Sequence, residues 1–396
     1  MTDPDSVPKL HWLEDGKAFE AQWRSHSDSP PPVRVVVADG KMTADAAYDH
    51  ACQGTALLWR GDFQEARQML TALGNRADRR KRRSRTSAAP SATASPAGTS
   101  TPHSAEAFHL LRQARSQRAR TLNSLLIPLN DDYAIPLRRA PDIRQACVEA
   151  FGPAQTASVT SLRALLGVIG AHEWRTKGIE IAEAGGRIYP YFGVFAPIRR
   201  EYIDLVSTAP LPSVSAASSV AFDIGTGTGV LAAVLARRGI ERVVATDLDP
   251  RAIECASENV RQLGLVGRID VVQADLFPEG RAALVVCNPP WIPARPSSPM
   301  ENGIYDSDSR MLRGFLAKLP EHLTPGGEGW LILSDLAELL SLRTRAQLLG
   351  EFEAAGLRVA GRIDIPPRHP RASDKTDPLH VARAAEITSL WRLAVA

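Results

Sequence analysis

Apolar and polar positions alternate in a regular rhythm over the C-terminal half of the 396-residue chain. Short apolar runs at 220–224, 243–246, 269–272, 283–287, 329–333, 357–363 and 387–395 read as strands, because each is four to nine residues long and rich in Val, Ile, Leu and Phe. Between them, 230–238, 250–263, 310–319 and 336–355 carry apolar residues at helical spacing. Pro250 suits a first helical turn, where a missing N–H costs nothing, and Asp249 suits the N-cap before it. Strand and helix in alternation predict an α/β fold: a twisted, mainly parallel sheet of about seven strands with helices on both faces. Ligands of such sheets sit at the carboxyl ends of the strands, near the point where strand order reverses.

The N-terminal half has a different pattern. Residues 41–74 read as helical, with Asp62 and Glu65 as a start signal and Phe63, Ala66, Leu70 and Leu73 recurring on one face. The basic run Arg76 to Arg85 and the Ser/Ala/Thr/Pro tract up to Pro102 contain too little apolar surface for a core, so 75–103 is expected to be a linker or surface loop. Helices are expected again at 104–127, 142–151 and 159–171, then a strand over 189–195 and a helix over 197–206. The expected division is a helical part at 1–74, the linker, a helical accessory part at 104–185, and an α/β domain at 186–396.

Composition narrows the class. Hydrophobic content of 44% and charge of 23% fit a globular protein, and no apolar run reaches the ~18 residues of a membrane span. Cys52, Cys147, Cys255 and Cys287 show no Cys-x-x-Cys spacing, which argues against a structural zinc site and, with an acidic N-terminus lacking an apolar core, for a cytoplasmic location. Residues 1–200 hold 27 Lys and Arg against 20 Asp and Glu, so the basic excess lies there, although the net charge of the whole chain is only +3. Such an excess fits either a polyanionic partner or an ordinary solvated surface.

The candidate chemistry lies at strand ends. Asp223, Gly225, Thr226, Gly227, Thr228 and Gly229 join the first strand of the α/β run to its helix. Glycines there let the backbone turn tightly and approach a ligand. A dinucleotide site wants a small residue where Val230 stands, and the Asp223 carboxylate would repel a pyrophosphate but attract an ammonium or sulfonium group. Asp247 ends the next strand, placed to accept two ribose hydroxyls. Asp275 follows the third strand, placed to take an adenine amino group with Leu276 on the ring. Asn288-Pro289-Pro290-Trp291 follows the fourth. The two prolines fix φ at about −65° and remove two donors, leaving an amide, a free carbonyl and a ring to grip a planar amino group.

In this order the motifs resemble those of class I S-adenosylmethionine-dependent methyltransferases, and most closely the "methyltransferase small" group, over about residues 190–396. That group ends its last motif in Tyr or Phe, where this chain has Trp291. The resemblance implies a Rossmann-like methyltransferase sheet with an accessory, mostly helical N-terminal domain. It implies S-adenosylmethionine as cofactor, with Gly225, Gly227 and Gly229 beside its methionine part, Asp223 at its amino group, Asp247 at the ribose, and Asp275 with Leu276 at the adenine. Asn288 and the Pro289 carbonyl would accept from the target NH₂ while Trp291 stacks on its plane. The expected activity is N-methylation of a planar amino or amide nitrogen, in a nucleic-acid base first and a protein glutamine second, with a non-catalytic cofactor-binding module or an NAD-dependent oxidoreductase as rivals. His322 reads as a surface residue, and Asp306 and Asp308 as helix caps. The oligomeric state is left open.

Overall fold

The computed structural model describes residues 8–25, 29–87, 105–213, 220–296 and 301–396, with side chains 80–87 outside that description. The chain divides into two compact units, residues 1–101 with 109–173, and residues 102–108 with 174–396.

The first unit is built on a sheet that the sequence pattern did not reveal. Its strands are β1 (Lys9–Glu14), β2 (Lys17–Arg24), β3 (Arg34–Ala38), β4 (Thr55–Trp59), β5 (Leu125–Leu129) and β6 (Ser158–Ser161), in the order β1-β2-β6-β5-β4-β3. Helices α1 (Ala44–Cys52), α2 (Phe63–Ser87), α3 (Ala105–Asn123), α4 (Arg144–Phe151) and α5 (Leu162–Lys177) connect or follow them. Three corrections follow. Residues 55–59 lie inside the expected 41–74 helix but form β4, buried at every position, and a short apolar run without alternation fits a buried strand as well as a helix. Residues 125–127 and 159–161 leave their expected helices in the same way, as parts of β5 and β6. Residues 75–87 continue α2 instead of forming a loop, since Ala, Arg and Lys are good helix formers and Arg76 reaches back to Asp45 at 2.6 Å. The rest of the expected linker, 88–103, lies outside the described residues. Asp62 is the α2 N-cap, its Oδ1 accepting from the backbone N of Gln64 at 2.8 Å.

In the second unit a small hairpin, β7 (Ile179–Ile181) with β8 (Gly186–Ile188), and helix α6 (Glu201–Thr208) precede the main sheet. That sheet comprises β9 (Val220–Ile224), β10 (Arg242–Asp247), β11 (Ile269–Gln273), β12 (Ala282–Cys287), β13 (Leu323–Ser334), β14 (Leu357–Ile365) and β15 (Thr388–Val395). The order is β11-β10-β9-β12-β13-β15-β14, parallel from β11 to β13, with β15 antiparallel to both neighbours. Helices α7 (Val230–Arg237), α8 (Pro250–Gln262), α9 (Arg310–His322), α10 (Leu336–Leu339), α11 (Arg345–Ala354) and α12 (His380–Ala385) complete the unit. β12 is buried at all six positions because both faces are covered. Leu284 and Val286 face the core containing α6 and α7, while Val285 and Cys287 face the core containing α9 and α11.

Several element limits differ from expectation. Residues 189–195 form no strand: Pro190 has no N–H to give a ladder, Gly193 is at φ +86°, and a turn closes from Val194 N to Tyr191 O. The 197–206 helix begins only at Glu201. The 336–355 helix breaks into α10 and α11 around Ser341 at φ +56°, and α11 restarts with a capping box between Thr344 and Gln347.

Candidate active site

Strand order reverses between β9 and β12, both of which neighbour one another while their helices run to opposite faces, and the crevice at their carboxyl ends collects the sequence motifs. Cys287 pairs with Ile224, so the next residues, Asn288 and Gly225, leave adjacent strands side by side.

The glycine loop is held by its own side chains. Gly225, Gly227 and Gly229 have φ of +70°, +55° and +80°, a region that favours glycine. A Cβ on Gly229 would lie 3.3 Å from Ala256 Cα, so this glycine lets α7 and α8 approach. A Cβ on Gly227 would meet nothing within 4 Å and would project into open space above the loop. Asp223 is 1% exposed. Its Oδ2 accepts from Thr226 Oγ1 at 2.6 Å and from the Ala232 amide at 3.0 Å, tying the strand end to the first turn of α7. Burial pushes Asp223 up to about 6, with the Thr226 hydroxyl and Ala232 amide pulling the other way. Thr226 N in turn donates to the Thr246 carbonyl at 2.8 Å, and Thr228 is buried.

Asp247 closes the loop from the next strand. Its Oδ2 accepts from Gly227 N at 2.9 Å and its Oδ1 from Asp249 N at 3.0 Å. Burial raises its carboxyl above the ordinary value, against the pull of those two amides. Among the described residues neither Asp223 nor Asp247 has a basic ion-pair partner. Two desolvated carboxylates with spare lone pairs beside a glycine loop that is open at Gly227 suit a ligand that is cationic at one end and carries vicinal hydroxyls.

Asp275 and Leu276 are placed at the end of β11. The Asp275 side chain is 61% exposed and pairs with Arg310 Nη2 at 3.3 Å, so it stands at the open edge and is not bonded to the glycine loop. Leu276 has φ +76°, costly for a residue with a Cβ, and its carbonyl accepts from Thr246 Oγ1 at 2.5 Å. In the turn Asn288–Trp291, Pro289 is buried, Pro290 and Trp291 are half-buried, and Trp291 Nε1 donates to Asn288 Oδ1 at 2.9 Å.

Asp249 caps α8 through Arg251 N, and Asp306 caps α9 through the amides of Met311 and Leu312. Asp308, at φ +55°, is not the α9 cap. His322 lies in the last turn of α9, its ring stacked on Phe277 at 4.4 Å. Two further residues of the site lie outside the sequence motifs. Asn259 donates to the Thr228 carbonyl at 3.0 Å and accepts from Tyr189 N at 2.8 Å, joining the 189–195 segment to the loop. Its signal was a polar residue on the apolar stripe of α8, one turn from Cys255. Arg199 lies over the Trp291 ring, with its Cζ 4.6 Å from the centroid. Among the described residues no cluster of His, Cys, Asp and Glu forms a metal-ligand set, and no helix is long and apolar enough to cross a membrane.

Residues 187–354 match the family model described as Methyltransferase small domain. A Pelotomaculum thermopropionicum protein named ribosomal protein L11 methyltransferase is 51% identical over 69 residues, 17% of this chain and 22% of that protein. A Cereibacter sphaeroides release factor glutamine methyltransferase is 36% identical over 149 residues, 36% of this chain and 50% of that protein. A Shewanella loihica tRNA1(Val) (adenine(37)-N6)-methyltransferase is 28% identical over 180 residues, 43% of this chain and 70% of that protein. The chain thus spans half or less of the length of the first two of these relatives.

Proposed function

We propose that this chain, whose residues 187–354 belong to the methyltransferase small group of class I S-adenosylmethionine-dependent methyltransferases, transfers a methyl group to a planar amino or amide nitrogen of a macromolecule. The observation that supports the reading is the β9–β12 register, in which Cys287 pairs with Ile224, so that Asn288 and the glycine loop follow from paired positions of adjacent strands.

S-adenosylmethionine supplies an activated methyl on a sulfonium when bound. Gly227, with open space where a Cβ would stand, admits its methionine part, Gly225 and Gly229 shape the turn around it, and Asp247 accepts the ribose hydroxyls with the lone pairs left over from Gly227 and Asp249. Asp223 acts mainly through the loop it organises, and its buried charge favours the cationic end of the ligand. Leu276 borders the adenine, and Asp275 stands at the edge nearest its amino group. Asn288 Oδ1 and the Pro289 carbonyl accept from the target NH₂, which favours positive charge developing on nitrogen in the transition state. Trp291 supplies the flat wall that aligns the acceptor.

A nucleic-acid base is the favoured acceptor. The basic excess of residues 1–200 supports this, as does the relative named for adenine N6 methylation of a tRNA. A protein glutamine is the second reading, supported by the release factor glutamine methyltransferase relative. The test is incubation with methyl-labelled S-adenosylmethionine and separated RNA, DNA and protein fractions. Label in RNA or DNA is expected; label confined to protein overturns the first reading in favour of the second, and label in none overturns both.

A further inference from the structure

The acceptor motif is held from outside the cofactor loop. Arg199 lies two residues before α6, and its Nη1 donates to Glu386 Oε1 at 3.1 Å. Glu386 is fully buried just before β15, where its Oε1 also accepts from Ser334 Oγ at 2.6 Å and its Oε2 lies 3.4 Å from His369 Nε2. The carboxylate therefore has a fixed place, and so does the guanidinium. Arg199 Nε and Nη2 are buried without a hydrogen-bond acceptor, and the second carboxylate nearby, Glu201, is 3.9 Å from Nη2. What the guanidinium covers instead is an indole face, with Cζ 4.6 Å from the Trp291 centroid.

The indole so held points its N–H at Asn288 Oδ1, 2.9 Å away. An amide oxygen has two lone pairs, so one remains for a substrate. The contact also fixes which end of the amide points where. Turning Asn288 over would set its NH₂ against the indole N–H, two donors facing each other.

We propose that Arg199, anchored by Glu386, is a positioning residue: it pins Trp291 so that the indole N–H locks Asn288 with its oxygen toward the acceptor, which restricts the site to amino groups and excludes carbonyls. A carbonyl oxygen in the acceptor place would face a carbonyl oxygen. The inference rests on the methyl-transfer reading of the same site and adds two residues, 187 positions apart in the chain, that the motifs do not contain.

The test is the ¹⁵N-indole NMR signal of Trp291 in the full chain, assigned by its loss in Trp291→Phe. Arg199→Met and Glu386→Gln should each shift this signal and raise its solvent exchange at least tenfold, and Arg199→Lys should restore part of the protection. Affinity for S-adenosylmethionine by calorimetry should stay within twofold. In methylation of the fraction that accepts label, Arg199→Met should lower kcat about tenfold with KM within twofold. Trp291→Phe, which keeps a ring under the guanidinium but has no N–H, should lose a similar factor. An unchanged indole signal in Arg199→Met overturns the proposal. So does wild-type kcat in Trp291→Phe, which decides the matter even if the arginine and glutamate variants do not fold. Failure of the unmodified protein to bind S-adenosylmethionine overturns the methyl-transfer reading instead, and the indole signal distinguishes the two.

Discussion

Asp247 at the end of β10 accepts a hydrogen bond from the backbone N of Gly227 at 2.9 Å, so a carboxylate one strand away holds the middle of the glycine loop. The same carboxylate is the ribose acceptor in the proposed function. Asp247→Ala removes both roles, and a hydrogen bond to a charged group contributes about 1.5–3 kcal/mol. Affinity for S-adenosylmethionine, measured by titration calorimetry, should fall about 10- to 100-fold. An affinity within twofold of the unmodified protein would remove Asp247 from the site.

Gly227 and Gly229 should separate binding from folding. At Gly227 an added Cβ enters open space, at φ +55°, so Gly227→Ala should cost stability only the roughly 1–2 kcal/mol of a left-handed conformation while lowering cofactor affinity more than tenfold. At Gly229 the Cβ would meet the Ala256 backbone at 3.3 Å, and the strain falls on the α7–α8 contact. Gly229→Ala should cost about 2–4 kcal/mol of stability. Denaturant unfolding and calorimetry on the two variants side by side check this, and equal stability losses would contradict it.

Asp223 should make both stability and binding depend on pH. Its folded value is about 6 against an ordinary 3.8, so the folded state holds this proton more tightly than the unfolded chain. Its contribution is therefore fully present below about pH 4 and lost as pH rises through about 6, a change of about 3 kcal/mol. Asp247 from β10 raises it further, while the uncharged Tyr202 of α6 and Cys287 of β12 are the other titratable groups facing it. Asp223→Asn should gain on the unmodified protein by about that amount between pH 4 and pH 7 in denaturant unfolding. Cofactor affinity should run the other way, rising from pH 5 to pH 7 in the unmodified protein and rising less in the variant, where only Asp247 still titrates. A stability difference independent of pH would contradict this.

The C-terminal half was legible because its signals are local. Each strand from β9 to β13 is a short apolar run, and each motif residue follows its strand directly, so Asp223, Asp247, Asp275 and Asn288 all came to the same edge of one sheet. Thr55–Trp59 and Leu125–Leu129 were hidden because a strand buried on both faces shows no alternation, and helical signals on either side absorbed them. Arg199 and Glu386 were hidden for another reason. Nothing about an arginine before one helix and a glutamate before the last strand says that they meet, and it is the antiparallel return of β15 along β13 that brings Glu386 to Ser334 and so to the acceptor edge. The indole–amide contact is the reverse case: Trp291 is three residues from Asn288, but only the turn's geometry aims its N–H at the amide oxygen.

Asn288 bears the central claim most directly. Methyl transfer from labelled S-adenosylmethionine should be compared for the unmodified protein and Asn288→Ala, at cofactor concentrations that saturate both and with the fraction that accepts label. The expected result is a loss of at least about 10²-fold in kcat, as for removal of a group that stabilises developing charge, with cofactor affinity within twofold. Transfer by Asn288→Ala at the unmodified rate would contradict the assignment of this turn as the nitrogen-gripping end of a methyl-transfer site.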